Sequence, residues 1–179
     1  MAVESKESLR SQLRSLISVN AESAFVSELL LSWQYFKSSS GVAFYSAMKD
    51  EINLEFLLNT EKELFLPRYN AARKAYEMCA LSSEDDLVNG QYGIKEPGKK
   101  CRVAEKNEIK LWLIPGMAFS RSGHRLGRGA GFYDRLLEKE NGIKCGVCTS
   151  EQILEEIPLE AHDIKMDFVL TDKEIIRVN

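Results

Sequence analysis

Four consecutive apolar side chains, Leu111 to Ile114, run straight into Pro115 and Gly116. A strand with one face in water alternates apolar and polar residues, because successive side chains point to opposite faces. An unbroken apolar run closed by strand-ending residues is written for burial on both faces, as in the centre of an α/β sheet. Helical periods and further short apolar runs alternate along the rest of the chain. Leu9, Leu13, Leu16 and Ile17 recur at i, i+4, i+7 and i+8, which predicts an amphipathic helix with Lys6, Arg10 and Arg14 on another face. Asn20 reads as the N-cap of a second helix carrying Phe25, Leu29, Trp33 and Phe36, and the Ser-rich segment from Ser38 to Gly41 ends it. Val42 to Tyr45 reads as a strand with Ser46 to Glu51 as its exit loop. A third helix is expected from Asn53, with Leu54, Leu57 and Leu58. Leu64 to Leu66 is a strand stopped by Pro67, Tyr76 to Leu81 is another, and Ser82 to Lys106 is a long surface loop. After a helix starting near Gly131, Lys144 to Cys148 is a strand, a short helix runs from Ser150 to its stop at Pro158, Met166 to Leu170 is the last central strand, and Ile175 to Val178 is an edge. Strands alternating with helices predict an α/β fold: a three-layer single domain with a mostly parallel central sheet flanked by helices, the N-terminal helices (about residues 5–37) packing on the core.

Composition narrows the function. The chain has 179 residues, which suits one domain at roughly 150 residues each. With 24 Lys and Arg against 27 Asp and Glu the net charge is −3, so no basic excess marks a nucleic-acid surface. No apolar run approaches the roughly 18 residues of a membrane span. The charged N-terminus, MAVESKESLR, argues against a secretory signal. Four cysteines are too few for a disulfide scaffold of this length. The expectation is a cytoplasmic protein with small-molecule substrates and neither nucleic-acid nor membrane partners, monomeric by default.

Chemistry concentrates between Gly116 and Asp134. Five of the 11 glycines lie at Gly116, Gly123, Gly127, Gly129 and Gly131, and Arg121, Arg125, Arg128 and Arg135 face a single acid, Asp134. Glycines let backbone N–H groups approach an anion, a following helix start adds donors, and arginine forks match phosphate oxygens. The spacing is neither a Walker A loop nor a dinucleotide fingerprint, since Gly127, Gly129 and Gly131 run G-x-G-x-G. The plainer reading is a solvated surface loop, but a loop this long in a compact domain is usually functional.

The stretch PGMAFSRSGHRLGRGAGFYDRLL, Pro115 to Leu137, resembles the signature of the 5-formyltetrahydrofolate cyclo-ligase (5,10-methenyltetrahydrofolate synthetase) family. Weaker matches follow in the family's order: Lys6 to Arg10, MKDEI at Met48, FLPRY at Phe65, YGIKEP at Tyr92 and HDIKMDFVLTD at His162. The resemblance implies a ligase that uses ATP and Mg²⁺. The formyl oxygen of 5-formyltetrahydrofolate attacks the γ-phosphate, nitrogen 10 attacks the activated carbon, and phosphate leaves to give the 5,10-methenyl bridge. Arg125 and Arg128 would be the catalytic cations. Lys6, Arg10 and the run Arg125, Leu126, Gly127, Arg128, Gly129, Ala130, Gly131, Phe132 and Tyr133 would bind ATP. Arg10, Ser46, Glu51, Tyr92, Arg128, Gly129, Gly131 and Phe132 would contact the folate, and Asp134 and Asp163 would hold the metal. Ala130, Ser120 and Ser46 depart from residues that other members carry.

Each assignment has a plainer counterpart. Lys6 and Arg10 fit a solvated helix face, Glu51 an ordinary loop acid, and His162 a hydrogen-bonded loop histidine. Cys145-x-x-Cys148 lies in an apolar strand pattern and Cys79 and Cys101 are isolated, so no zinc set forms. Trp33 and Trp112 read as core. At the level of function, the alternatives are a sugar-phosphate isomerase or coenzyme-A-transferase-like enzyme and a non-catalytic folate- or nucleotide-binding protein.

Overall fold

The computed structural model describes residues 5–13, 22–90, 93–105, 107–138 and 140–179. Arg14, Leu16, Ile17, Asn20 and Tyr92, all invoked above, lie outside the described residues. The chain begins with helices α1 (Lys6–Leu13), α2 (Glu22–Ser32) and α3 (Gln34–Ser38). They lead into strand β1 (Gly41–Ala43), then β2 (Glu63–Asn70) and β3 (Ala75–Leu81). A small hairpin of β4 (Leu87–Asn89) and β5 (Lys95–Pro97) precedes β6 (Ile109–Pro115). β7 (Ala118–Ser120), β8 (Arg125–Leu126) and α4 (Phe132–Leu137) follow, then β9 (Ile143–Val147), β10 (Ile153–Leu154), β11 (Phe168–Leu170) and β12 (Ile175–Arg177).

Seven strands form the main sheet in the order β12-β11-β9-β6-β1-β2-β3. The four inner pairings are parallel, and β12 and β3 close the two edges antiparallel. β6 sits where its apolar run demands: Leu111 and Leu113 pack with Val26, Leu30 and Phe36 on one face. Trp112 and Ile114 pack with Phe119 and Leu137 on the other. Each of the buried aliphatic side chains Leu111, Leu113 and Ile114 contributes roughly 1.5–3 kcal/mol. The first face is covered by α2 and α3. The second is covered by α4 and by a three-stranded sheet, β10-β7-β8, on which Leu9 and Leu13 of α1 rest. The layers are therefore three, with few helices in them.

Several sequence expectations shift. The second helix breaks at Trp33, an extended residue that caps α3 and stacks edge-on against Phe168 at 5.0 Å; it is half-buried. Phe25 is 59% exposed, and Val26 and Leu30 face the core instead, one residue out of phase with the predicted stripe. The helix expected from Asn53 is a 3-10 turn at Glu55–Asn59, not an α-helix, and Ser150–Gln152 is likewise a 3-10 turn that leads into β10. Pro67 does not end its strand. β2 pairs with β1 only as far as Phe65 but with β3 through Asn70, so the missing N–H of Pro67 falls where β1 has finished. The segment after Ser82 folds back as β4 and β5, and Val103 bridges to Cys79.

This topology fixes the position of a crevice. From β1 the chain moves to β2 on one side, whereas β6, β9 and β11 build out on the other. The β1–β2 connection packs Ile52, Leu54 and Leu57 on the first face, and the β6–β9 connection packs Phe119 and Leu137 on the second. The two connections diverge at the carboxyl ends of β1 and β6, the switch point at which open α/β sheets hold ligands.

Candidate active site

A cavity of about 530 Å³ opens at that switch point, with Tyr45 and Ser46 after β1, Pro115 at the end of β6 and Gly116 after it in its walls. The chain from Gly127 to Arg135 lines it without a break. The β7–β8 turn that starts this stretch is held by the buried Ser120 hydroxyl, which accepts from the His124 N–H at 3.1 Å and pairs with Ser122 Oγ at 2.8 Å. Gly129 and Gly131 have φ of +98° and +60°, left-handed values that side chains disfavour, and Gly131 in this conformation starts α4. α4 has six residues, under two turns, so the charge of the site comes from side chains more than from a helix dipole.

Lys6, Arg10, Arg125 and Arg128 are among the cations lining the cavity, and each of these is engaged. Lys6 Nζ donates to both Asp163 oxygens at 2.6 and 2.8 Å and lies 3.4 Å from Glu160. Arg10 Nε donates to the Gly127 carbonyl at 2.8 Å. Arg125 reaches both oxygens of Asp134 from Nη2, at 3.0 and 3.2 Å, and lies over the Tyr133 ring at 5.4 Å. Its side chain is 7% exposed and its buried Nε has no hydrogen-bond partner among the described residues. Arg128 crosses the cleft to the loop after β1, where it donates to Asp50 at 2.5 Å and to Glu51 at 3.2 Å.

Burial shapes the acids and phenols beside these cations. Burial pushes the Glu51 carboxyl above its ordinary range, although the Met48 N–H and Arg128 oppose it. Asp163 is pushed up by burial too, but the Lys6 ammonium and the Glu160 N–H together outweigh that and hold it below the usual carboxylate range. Burial also raises the Tyr133 and Tyr45 phenols, so both stay protonated, and Tyr45 donates to the Ile52 carbonyl at 2.9 Å, fixing the curve of the loop that carries Glu51. Beyond Glu51 the cavity turns aromatic: Tyr76 of β3 meets Phe132 edge-on at 4.1 Å.

The family model of the 5-formyltetrahydrofolate cyclo-ligase family matches residues 2–172, almost the whole chain. The chain belongs to that family. The mouse protein named 5-formyltetrahydrofolate cyclo-ligase is 28% identical over 187 aligned residues, covering 92% of each chain. The structure of Aquifex aeolicus 5,10-methenyltetrahydrofolate synthetase superimposes with a TM-score of 0.86 at 34% identity, over 97% of this chain and 93% of that one. The synthetase structure from Mycoplasma pneumoniae shares the fold, with a TM-score of 0.70 at 21% identity over 95% of this chain and 100% of that one.

Within this cyclo-ligase fold the residues singled out from sequence converge. Lys6 and Arg10 from α1, Ser46 and Glu51 from the β1 exit, the glycine-rich stretch, Asp134 and Asp163 all line one cavity. Leu126 does not: its side chain is fully buried with Leu13 and Met117 under the small sheet. Tyr92 lies outside the described residues. Ser46 donates to the Lys95 carbonyl at 2.6 Å, tying the β1 exit to β5. Asp50, Tyr76 and Glu160 also reach the site and escaped the sequence reading; Asp50 adjoins Glu51 in MKDEI, whereas strand alternation alone does not single out Tyr76. Glu160, His162 and Asp163 bring one ligand atom each within 4.8 Å of one another. Two carboxylates there, with Asp134 on the same cavity, are the hard oxygen donors that Mg²⁺ takes. Cys145 and Cys148 are buried thiols whose pKa values burial raises.

Proposed function

We propose that this chain catalyses the ATP-dependent cyclisation of 5-formyltetrahydrofolate to 5,10-methenyltetrahydrofolate, releasing ADP and phosphate. The observation that carries the reading is the convergence of Lys6, Arg10 and Arg128 with the glycine-rich stretch on one cavity, in a chain of this family. The oxygen of a formyl group carried on nitrogen is a poor leaving group. Its attack on the γ-phosphorus expels ADP and turns it into a phosphate ester; attack by nitrogen 10 and loss of that nitrogen's proton then let phosphate depart. The protein's share is positioning and neutralisation of charge.

In this reading Arg128 and Lys6 meet phosphate oxygens, while Gly127, Gly129 and Gly131 keep side chains out of the way of the triphosphate. Arg125 stays on Asp134 and acts by holding the loop at the cavity floor. Glu51 accepts hydrogen bonds from folate N–H groups, and Phe132 packs on a folate ring. Asp163, Glu160 and Asp134 are the residues proposed to hold Mg²⁺, which when bound supplies neutralisation of the triphosphate. Residues 1–179 are taken as one catalytic domain. The enzyme is taken to be a cytoplasmic monomer without nucleic-acid partners; the net charge of −3 supports the last point, and no described helix is long and apolar enough to cross a membrane. The test is incubation with 5-formyltetrahydrofolate, ATP and Mg²⁺ while following near-ultraviolet absorbance. Methenyl product that requires ATP, with metal chelation slowing it, is the expected result; no product under these conditions overturns the reading.

A further inference from the structure

One acid at the mouth of the cleft has no part in the reaction as described. Asp50 Oδ1 accepts a 2.5 Å hydrogen bond from Nη2 of Arg128, 78 residues further along the chain. The same nitrogen and Nε of Arg128 both reach Glu51 Oε1 at 3.2 Å. The two acids differ in surroundings. The Glu51 side chain is 9% exposed and its other oxygen accepts from the Met48 N–H at 3.0 Å, whereas the Asp50 side chain is 30% exposed. A carboxylate with access to water is rehydrated at little cost when it loses its partner, and a buried one is not. Asp50 is therefore the member of this trio that can let go.

An arginine offers its N–H groups in one planar fork, and a phosphate oxygen that docks on Nη2 needs the donor Asp50 occupies. We propose that Asp50 is a positioning residue that competes with nucleotide phosphate for Arg128: it holds the guanidinium across the mouth of the cleft and yields it when ATP enters. Glu51 keeps its contact with Nε during the exchange, so the guanidinium pivots about a fixed end. The inference rests on the reading that Arg128 meets the phosphates. It adds that nucleotide binds more weakly than the cations alone would allow, because every binding event first breaks the Asp50 contact.

The test measures the ATP dissociation constant of the intact chain by calorimetry, with ligand-free melting temperature alongside. Asp50→Asn is expected to tighten ATP about two- to fivefold, the scale of a partly exposed ion pair, while slightly lowering the ligand-free melting temperature. Asp50→Glu restores the wild-type constant. An acid with only a structural role would lower the melting temperature without tightening ATP. If the gain came only from removing a negative charge near ATP it would persist without Arg128, so the decisive comparison is Asp50→Asn on an Arg128→Ala background, where competition for Arg128 gives no tightening. Arg128→Ala alone is expected to weaken ATP about tenfold or more. If it does, but Asp50→Asn fails to tighten ATP or tightens it equally on both backgrounds, the competition is overturned and the phosphate role of Arg128 stands. If Arg128→Ala leaves ATP affinity unchanged, both are overturned.

Discussion

Arg125 and Arg128 stand three residues apart in one loop, yet their ion pairs are of opposite kinds. Arg125 pairs with Asp134, nine residues away on the same segment, with both side chains nearly buried. Arg128 pairs with Asp50 and Glu51 on the far wall of the cleft and keeps 37% of its side chain exposed. A buried pair is costly to break because the surviving charge stays out of water, whereas an exposed pair exchanges partners freely. The contrast teaches that the first arginine shapes the loop and the second is available to a ligand, although composition and motif treat them alike.

The largest effect expected from this contrast is on stability. Arg125→Ala strands the Asp134 carboxylate and should cost about 3–5 kcal/mol, a fall in melting temperature of roughly 10 °C for a chain of this size. Replacing the pair together by apolar residues of similar volume should recover much of that. A melting temperature unmoved by Arg125→Ala would break the comparison. Arg128→Ala should do the reverse, lowering turnover by about two orders of magnitude or more with the melting temperature nearly constant. Arg128→Lys should restore turnover only in part, because a point charge does not replace a fork.

Asp134→Asn sharpens the distinction, since the carboxylate serves Arg125 and is proposed to serve the metal. It should cost about 1–3 kcal/mol of stability through the weakened pair. Turnover should also fall and recover partly at higher Mg²⁺; unchanged Mg²⁺ dependence with the same loss of stability would leave Asp134 with the structural task alone. The smallest effect is at Glu51. Its folded pKa is raised, so ionising it costs folding free energy as pH rises from the ordinary carboxylate value through the folded one. Glu51→Gln should therefore raise the ligand-free melting temperature slightly at neutral pH. The gain should shrink as pH falls and vanish by about pH 3, where the wild-type carboxyl is protonated in either state. A substitution that lowers the melting temperature at neutral pH would show the Arg128 contact outweighing burial.

The legible parts of the sequence were those governed by local rules. The double-sided burial of β6 and the parallel sheet follow from unbroken apolar runs, and the glycine spacing singled out the loop that lines the cavity. Tertiary context governed what was missed. Whether Pro67 ends a strand depends on where β1 stops, which only the register decides. The phase of α2 depends on which face meets the sheet, so Val26 replaced Phe25 in the core. Which of two arginines is buried depends on Asp134 lying one short helix away, and nothing in the residue types announces that Asp50 closes on Arg128 across 78 positions.

The contact between Lys6 and Asp163 spans 157 residues. During synthesis at about 5–20 residues per second, the first described helix leaves the ribosome roughly ten to thirty seconds before its partner is made. β1, at the heart of the sheet, likewise waits for β6 to pair on its second side. Contacts this distant in sequence carry a large loop-closure cost and form late in folding. The end of the cleft proposed to take nucleotide is consequently among the last parts of the molecule to exist. A nascent chain that already carries the whole glycine-rich loop has Arg10, Asp50 and Glu51 to meet it but still lacks Asp163, the partner of Lys6, so the proposed ATP site is incomplete until translation is nearly done.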